Sequence, residues 1–140
     1  MNKIVDFEGI GYVAATFPVD SATQSYLKAN HTKASTGNVD INGKKLAVKL
    51  GEDGTVGFGN SVPTTADALL GIIIAYEMDG FASVQIIGGV DEVPTSAAIK
   101  SGRQALAVNN KGEIVVVEGS RATTVSKPST SDNLFASIIL

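Results

Sequence analysis

The chain contains no cysteine, no tryptophan and a single histidine, His31. Without cysteine, disulfides, thiolate metal sites and a cysteine nucleophile are excluded, so stability has to come from packing or assembly. With one histidine, three-histidine zinc sites are excluded, and any serine–histidine–aspartate triad would have to use His31. Because His31 stands in the polar run of residues 30–33, we expect it in an exposed loop rather than in a catalytic cleft.

Charge is also scarce, since only 18% of the 140 residues are charged and the formal net charge is −3. Soluble proteins average roughly 25% charged residues. No dense cluster of lysine and arginine is present, so nucleic-acid binding is not expected. A chain that folds with few charges is expected to meet other proteins over much of its surface.

Long apolar segments are absent as well. The apolar run of residues 68–76 is about half of the roughly 20 residues that a membrane-spanning helix needs. Residues 1–8 carry acidic side chains where a secretion signal would need an unbroken apolar core. We therefore expect synthesis in the cytoplasm and no membrane partner.

Short runs of aliphatic and β-branched residues, separated by turn residues, fill residues 68–117. Runs of four to eight such residues, bounded by glycine, asparagine and aspartate, are typical of strands. The pattern predicts an all-β fold, a compact β-sandwich or β-tulip-like body with at most one or two short helices. One helix is expected over residues 21–29, capped by Asp20 or Ser21.

The chain divides into an arm and a body. Residues 1–35 mix apolar residues with glycine and small polar residues, and are expected to form a partly extended amino-terminal arm; residues 36–140 are expected to form the β-rich body. Within the body, residues 38–58 predict a three-stranded meander, and the serine- and threonine-rich residues 120–133 predict a linker or exposed loop. No repeat of fixed period stands out.

The last seven residues, which are mostly apolar, predict a closing strand. In a strand the side chains alternate between two faces, so Ala136 and Ile138 share one face while Phe135 and Ile139 share the other. Large apolar groups on both faces indicate burial on both sides, one in the core and one against a neighbouring subunit. Phe135, Ile138 and Ile139 are therefore candidates for a subunit interface.

Sequence motifs that would indicate cofactor or metal binding are weak. The glycine spacing of residues 9–14 matches part of a dinucleotide fingerprint, but Pro18 breaks the helix that such a site requires. Carboxylates that could bind a hard metal stand where turns usually carry acids: Asp79, Asp91 with Glu92, and Glu52 with Asp53. No cofactor, metal or catalytic residue is assigned.

One family shares the order of the apolar and turn elements in the body. Over residues 60–140 the sequence resembles the capsid decoration, or cement, proteins of tailed bacteriophages. The resemblance lies in a Leu-Gly-Ile-Ile strand, a hairpin that ends in a Val-Gln-Ile strand, a double glycine, an apolar element closed by a Lys-Gly turn, and an apolar end. These elements occupy residues 67–73, 79–86, 88–90, 99–102, 106–108 and 111–114.

The resemblance implies a non-enzymatic structural protein on the outer capsid surface of the virion. Such a protein binds the major capsid protein of an assembled phage head, stabilises the lattice, and self-associates, commonly as a homotrimer. Its amino-terminal arm would reach across capsid subunits. The apolar arm residues that are candidates for capsid contact are Ile4, Val5, Phe7, Ile10 and Tyr12.

Two other functions fit the sequence less well. One is the capsid-anchoring domain of a head fibre or a host-adhesion module, which should show an exposed aromatic cluster; Tyr12, Tyr26 and Tyr76 are scattered along the chain. The other is a small hydrolase, which would need a pocket around His31 or a pair of carboxylates.

The arm predicts the effect of a truncation. Deleting residues 1–8 should weaken binding to phage heads, because apolar contacts of Ile4, Val5 and Phe7 are lost, and should leave the body folded. Co-sedimentation with heads and a far-ultraviolet circular dichroism spectrum measure the two effects. Unchanged occupancy of the heads by the truncated protein would contradict the arm model.

Overall fold

The computed structural model describes residues 13–77 and 79–140, which form two antiparallel five-stranded sheets and one short α-helix. The predicted all-β fold is confirmed. In spatial order, the first sheet contains β1 (Val13–Pro18), β5 (Phe81–Ile87), β4 (Gly71–Tyr76), β2 (Ala47–Leu50) and β3 (Val56–Gly57). The second contains β6 (Gly89–Pro94), β10 (Phe135–Ile139), β9 (Arg121–Lys127), β7 (Gly102–Val108) and β8 (Ile114–Val116). The predicted closing strand is β10, which lies between β6 and β9.

The second sheet repeats the strand order of the first. Numbered within its own half, each sheet has the order first, fifth, fourth, second, third. In each half a proline ends the first strand, and the next residue makes a parallel bridge to the third strand: Val19 to Val56, and Thr95 to Ile114. Because these bridges join the two outer strands, each sheet curls towards a closed barrel, which leaves less open edge.

Hydrogen bonds around the two prolines, Pro18 and Pro94, also match. The amide after Pro18 donates to Gly80 O at 2.9 Å, and the amide after Pro94 donates to Leu134 O at 2.9 Å. Each acceptor directly precedes a phenylalanine, and that phenylalanine pairs with the proline across the strands: Phe81 with Pro18, and Phe135 with Pro94.

The fifth strands also share sequence, since Phe-Ala-Ser-Val in β5 corresponds to Phe-Ala-Ser-Ile in β10. Both strands face a one-residue bulge at the same place, Ile74 on β4 and Ser126 on β9. Strand order, bridges, hydrogen bonds, bulges and sequence thus identify two copies of one five-stranded unit. The two copies lie at unequal spacing along the chain, because the first contains a helix and longer loops, and this hides the repeat from a search for a fixed period.

Two hydrophobic cores fill the two halves, and strands β2 and β4 belong to both. Val48 and Ile73 are buried in the core of the first half. Their neighbours in sequence, Ala47 and Ile72, point to the opposite face and are buried in the core of the second half. These two strands are therefore a wall shared by both cores. Strands buried on both faces need continuous apolar sequence, which accounts for the adjacent pair Ile72 and Ile73 in β4.

Helix α1 (Ser21–Asn30) follows β1 closely, as predicted. The Asp20 carboxylate caps it by accepting from Thr23 N at 2.7 Å, which satisfies an otherwise unpaired amide of the first turn. Leu27 is fully buried in the first core.

The boundary of the predicted arm at residue 35 is corrected for residues 13–35. These residues contribute β1 to the first sheet and α1 to the first core, because β1 finds its partner in β5, far away in sequence. The rest of the predicted arm, residues 1–12, lies outside the described residues.

Two other expectations for the body are wrong. Residues 121–127 form β9, which lies between β10 and β7, rather than a linker. Threonine has a high propensity for β-strands, and Thr123 is buried on the inner face of the sheet. Residues 38–58 hold two strands instead of three, since Lys45 has a left-handed backbone with φ of 53° and the extended strand begins at Ala47.

The closing strand allows a matched pair of substitutions. Ile138→Asp should destabilise the fold by about 4 kcal/mol or more, because Ile138 is 1% exposed and an unpaired carboxylate would enter the second core. Ile139→Asp is the control, since that neighbour is 40% exposed and should change the free energy of unfolding by about 0.5 kcal/mol. Urea unfolding of both variants measures the difference, and equal stabilities would refute the assigned faces of β10.

Candidate functional site

Strand β10 presents an apolar face to solvent. Its side chains alternate regularly, because the extra residues of the adjacent bulges lie on the neighbouring strands β6 and β9. Ala136 and Ile138 point inward, while Phe135 and Ile139 point outward with 41% and 40% of their surface exposed. Phe135 and Ile139 therefore remain candidates for contact with a partner. Ile138 does not, since it is buried in the core of its own chain.

Neighbouring strands extend this outward face with small and weakly polar side chains. Thr124 of β9 pairs with Ile139 on one side and with Arg103 of β7 on the other. In the next row, Ala122 pairs with Ala105. These residues, together with Phe135, Ile139, Thr124 and Arg103, are called the β10 face below. Among these residues Arg103 is the one that carries a charge.

Sequence alone did not place Thr124 or Ala122 beside Ile139, because residues 120–133 were expected to form a loop. The usable signal is the alternation of β9, in which Thr123 and Val125 are buried while Ala122 and Ser126 are exposed. The alternating positions of β9 hold mostly threonine, serine and alanine rather than large apolar residues, so buried and exposed positions differ little in hydrophobicity.

An ion pair crosses the outward side of β10 between Phe135 and Ile139, because Lys127 pairs with Ser137 from one neighbouring strand and Glu92 N donates to Ser137 Oγ from the other. The Lys127 ammonium contacts the Glu92 carboxylate, and about half of each side chain is exposed. Exposed pairs of this kind contribute about 0–1 kcal/mol to stability. The pair therefore contributes little to stability, and it places two solvated charges between Phe135 and Ile139.

The capsid-contact candidates of the arm, Ile4, Val5, Phe7, Ile10 and Tyr12, lie outside the described residues.

His31 was expected in an exposed loop; it is the residue that caps the carboxyl end of helix α1, and it is partly buried. Its backbone amide donates to Leu27 O at 2.8 Å, and its ring is 6.1 Å from that of Tyr26. Partial burial, and secondarily the positive charge of Lys44, lower the pKa of His31. A general base must become an imidazolium during catalysis, and a lysine nearby disfavours that ion. The surroundings of His31 therefore do not favour the hydrolase alternative.

A buried ion pair joins strand β2 to the 3₁₀ helix Thr65–Asp67. Asp67 is fully buried and accepts from Lys49 Nζ at 2.9 Å, from Asn60 Nδ2 at 3.0 Å and from Thr64 N at 3.0 Å. Burial raises the pKa of Asp67, but these three donors together outweigh burial, so the pKa is lowered overall. An ionised carboxylate with its lone pairs occupied by local donors is a structural clamp rather than a catalytic base.

Three of the five carboxylates considered as metal ligands, those of Asp53, Asp79 and Glu92, have partners nearby. Asp53 accepts from Thr55 N and Oγ1, and Asp79 accepts from Phe81 N, both within turns. Glu92 belongs to the ion pair with Lys127. Within residues 13–77 and 79–140, no group of three or more histidine, cysteine or acidic side chains is arranged to hold a metal ion.

A shallow cleft of about 390 Å³ lies beside helix α1. Its lining is polar, with Gln24 and Lys28 from the helix and Asn38 and Tyr76 opposite. Burial, and secondarily the charge of Asp79, raise the pKa of Tyr76, so its hydroxyl stays protonated at neutral pH. The cleft therefore offers hydrogen-bonding groups but no activated nucleophile.

No protein-family model matches this sequence, and no curated protein matches it. In the part of the chain that the structure describes, no helix is both long and apolar enough to cross a membrane. Function therefore has to be argued from the arrangement of the residues.

The clamp predicts a pH dependence of stability. Because folding lowers the pKa of Asp67, its contribution is complete above the unfolded value of about 3.9 and is lost as pH falls through the folded value. Asp67→Asn should cost about 3 kcal/mol at pH 7, since Lys49 loses its counter-charge, and the cost should shrink below about pH 4. Chemical unfolding from pH 2 to 8 measures it, with the exposed Asp91→Asn as control. A cost for Asp67→Asn that does not change with pH would contradict the clamp.

Proposed function

We propose that this chain is a capsid decoration protein of a tailed bacteriophage. It binds the outer surface of an assembled head and stabilises the lattice of the major capsid protein. The observation that carries the proposal is the β10 face, where Phe135 and Ile139 point to solvent from a strand whose other side is core. An apolar face held by a rigid sheet is suited to binding a protein, because little side-chain order has to be gained on contact.

Low charge and a hydroxyl-rich surface fit the same role. A decoration protein makes many modest contacts that are repeated over a lattice, and repetition converts modest affinity into durable attachment. The partner of the β10 face has to accept Arg103 and the exposed Lys127–Glu92 pair as well as the apolar side chains of Phe135 and Ile139.

In this proposal the protein is not an enzyme and uses no cofactor. It lies on the outer surface of the virion, contacts the major capsid protein, and associates with its own copies as a homotrimer. Phe135 and Ile139 contact a neighbouring subunit in the particle. The position of His31 at the end of a helix and the local role of Asp67 support a binding protein over a hydrolase.

Binding to heads tests the proposal directly. If a gene for a major capsid protein neighbours the gene for this chain, heads are assembled from its product. The purified chain should co-sediment with these heads and raise the temperature at which they open. Ile139→Asp should lower the affinity about 10- to 100-fold, which corresponds to about 1.5–3 kcal/mol for burying one isoleucine side chain.

Val62→Asp is the matched control, because Val62 is 79% exposed and lies outside the β10 face. It should bind like the unaltered protein. If the unaltered, folded protein does not bind the heads, the proposed function is wrong. If both aspartate variants bind equally well, the β10 face is not the contact.

A further inference from the structure

The chain contains three positions at which asparagine or aspartate directly precedes a glycine: Asn42-Gly43, Asp53-Gly54 and Asp79-Gly80. At such a pair the backbone nitrogen of the glycine can attack the side-chain carbonyl carbon of the preceding residue, because glycine has no Cβ that would shield its nitrogen. The attack needs a nitrogen and a side chain that other groups do not hold in place. The surroundings of each pair therefore decide which of the three can react.

Asn42 and Gly43 occupy the two central positions of an exposed β-turn. Lys44 N donates to Ile41 O at 3.0 Å and closes the turn, and Gly43 has a φ of 76°. Open space surrounds the turn, since a Cβ added to Gly43 would have no atom within 4 Å. Neither the Gly43 amide nor the Asn42 side chain forms a hydrogen bond with any group in residues 13–77 and 79–140. Both reacting groups are thus unrestrained by the part of the chain that the structure describes.

The pair Asp53-Gly54 is held at both reacting groups. Gly54 N donates to Gly51 O at 3.1 Å, and the Asp53 carboxylate accepts from Thr55 Oγ1 at 2.7 Å and from Thr55 N at 3.1 Å. The hydrogen bond from the Thr55 hydroxyl, followed by that from its amide, lowers the pKa of Asp53. The carboxyl group therefore stays ionised at neutral pH, and a carboxylate is a poor electrophile.

The pair Asp79-Gly80 is held in the same way. Gly80 N donates to Glu77 O at 3.1 Å, and the Asp79 carboxylate accepts from Phe81 N at 3.3 Å. An attack by Gly80 N would have to break both hydrogen bonds of this turn.

Two other exposed asparagines are also restrained. The Asn60 amide donates to the Asp67 carboxylate at 3.0 Å, which fixes the side chain that would be attacked. Lys111 N, which would attack Asn110, donates instead to Asn109 Oδ1 at 2.9 Å. Among these positions, the turn at residues 42 and 43 is the one whose reacting groups have no competing partner.

We propose that Asn42 is a site of spontaneous deamidation, at which water converts the side-chain amide into a carboxylate without an enzyme. Gly43 N loses its proton to solvent and forms a bond to Asn42 Cγ. The bond from Cγ to the side-chain nitrogen then breaks, and that nitrogen takes up a proton from solvent and leaves as ammonia, so that a succinimide ring remains. Water opens the ring at one of its two carbonyl carbons. Opening at Cγ gives aspartate, and opening at the backbone carbon gives isoaspartate. This inference is independent of the proposed function.

Each product changes the turn. Both add one negative charge to a chain whose net charge is −3, and they add it close to Asp40, whose carboxylate accepts from Asn42 N at 3.0 Å. Isoaspartate also lengthens the backbone by one carbon, which disrupts the turn hydrogen bond from Lys44 N to Ile41 O. Ile41 is buried in the first core. The isoaspartate form should therefore unfold at a lower temperature than the unaltered chain.

Incubation of the full chain, both folded and unfolded in guanidinium chloride, tests the site. Peptide mass spectrometry measures the conversion of amide to acid at each asparagine. In the folded chain Asn42 should convert nearly as fast as in the unfolded chain, and faster at about pH 9 than at about pH 6, because the attacking nitrogen has to lose a proton. Asn60 should convert at least about tenfold more slowly in the folded chain, because its hydrogen bond to the charged Asp67 has to break first. Asn42→Gln should remove the reaction at this position, since its longer side chain would have to form a larger ring.

Asn42→Asp provides a comparison with matched chemistry, because all three pairs are then aspartate followed by glycine. In this folded variant isoaspartate should appear at position 42 before it appears at Asp53 or Asp79. Methyl transfer by an isoaspartyl methyltransferase detects the product, and mass spectrometry of the peptides locates it.

Protection of Asn42 by the fold would overturn the inference. If folding slows the reaction of Asn42 as much as that of Asn60, the turn is not a reactive site. The same conclusion follows if isoaspartate forms at Asp53 or Asp79 as fast as at position 42 of the Asn42→Asp variant. Neither result depends on binding to phage heads, so the proposed function is tested separately.

Discussion

The two-sided burial of strands β2 and β4 is the constraint on which the structure depends. Along each strand, successive residues enter different cores: Ala47 and Ile72 enter the second, Val48 and Ile73 the first. Hydrogen bonds across the halves reinforce this wall, among them Ala47 N to Gly112 O at 2.8 Å and Arg121 Nη1 to Leu70 O at 2.6 Å. A chain with no cysteine gains from this shared wall the rigidity that a disulfide would otherwise provide.

Rigidity of the body connects the fold with the proposed role. The exposed side chains of β5 and β10 are held at fixed positions because the opposite faces of both strands are core. The polar groups that might have supported chemistry have structural partners: Asp67 holds Lys49, and Asp79 closes a turn. The outward apolar side chains of β5 and β10 belong to neither core, and they are the groups that the proposed role would use to bind another protein.

Local features were predictable, and those that depend on distant partners were not. The cap of α1 was narrowed to Asp20 or Ser21 because capping involves residues three positions apart, and the structure shows Asp20. The closing strand was predicted from its own apolar alternation. The arm boundary at residue 35 was wrong because β1 is completed only by β5. Strand β9 was missed because its alternation uses threonine and serine, which are equally common in loops.

The sequence by itself determined the fold class, the helix and, for β10, which residues share a face, since these follow from composition and from backbone geometry over a few residues. Only the tertiary structure decided which face of a strand meets solvent. For β10 it separated buried Ile138 from exposed Ile139, and for β4 it made both faces interior. The repeated Phe-Ala-Ser was present in the sequence, but its meaning required the pairing of Phe81 with Pro18 and of Phe135 with Pro94. Strand pairing joins residues that are far apart in the chain. The alternation of side chains along a strand shows which residues share a face, but it does not identify the partner strand.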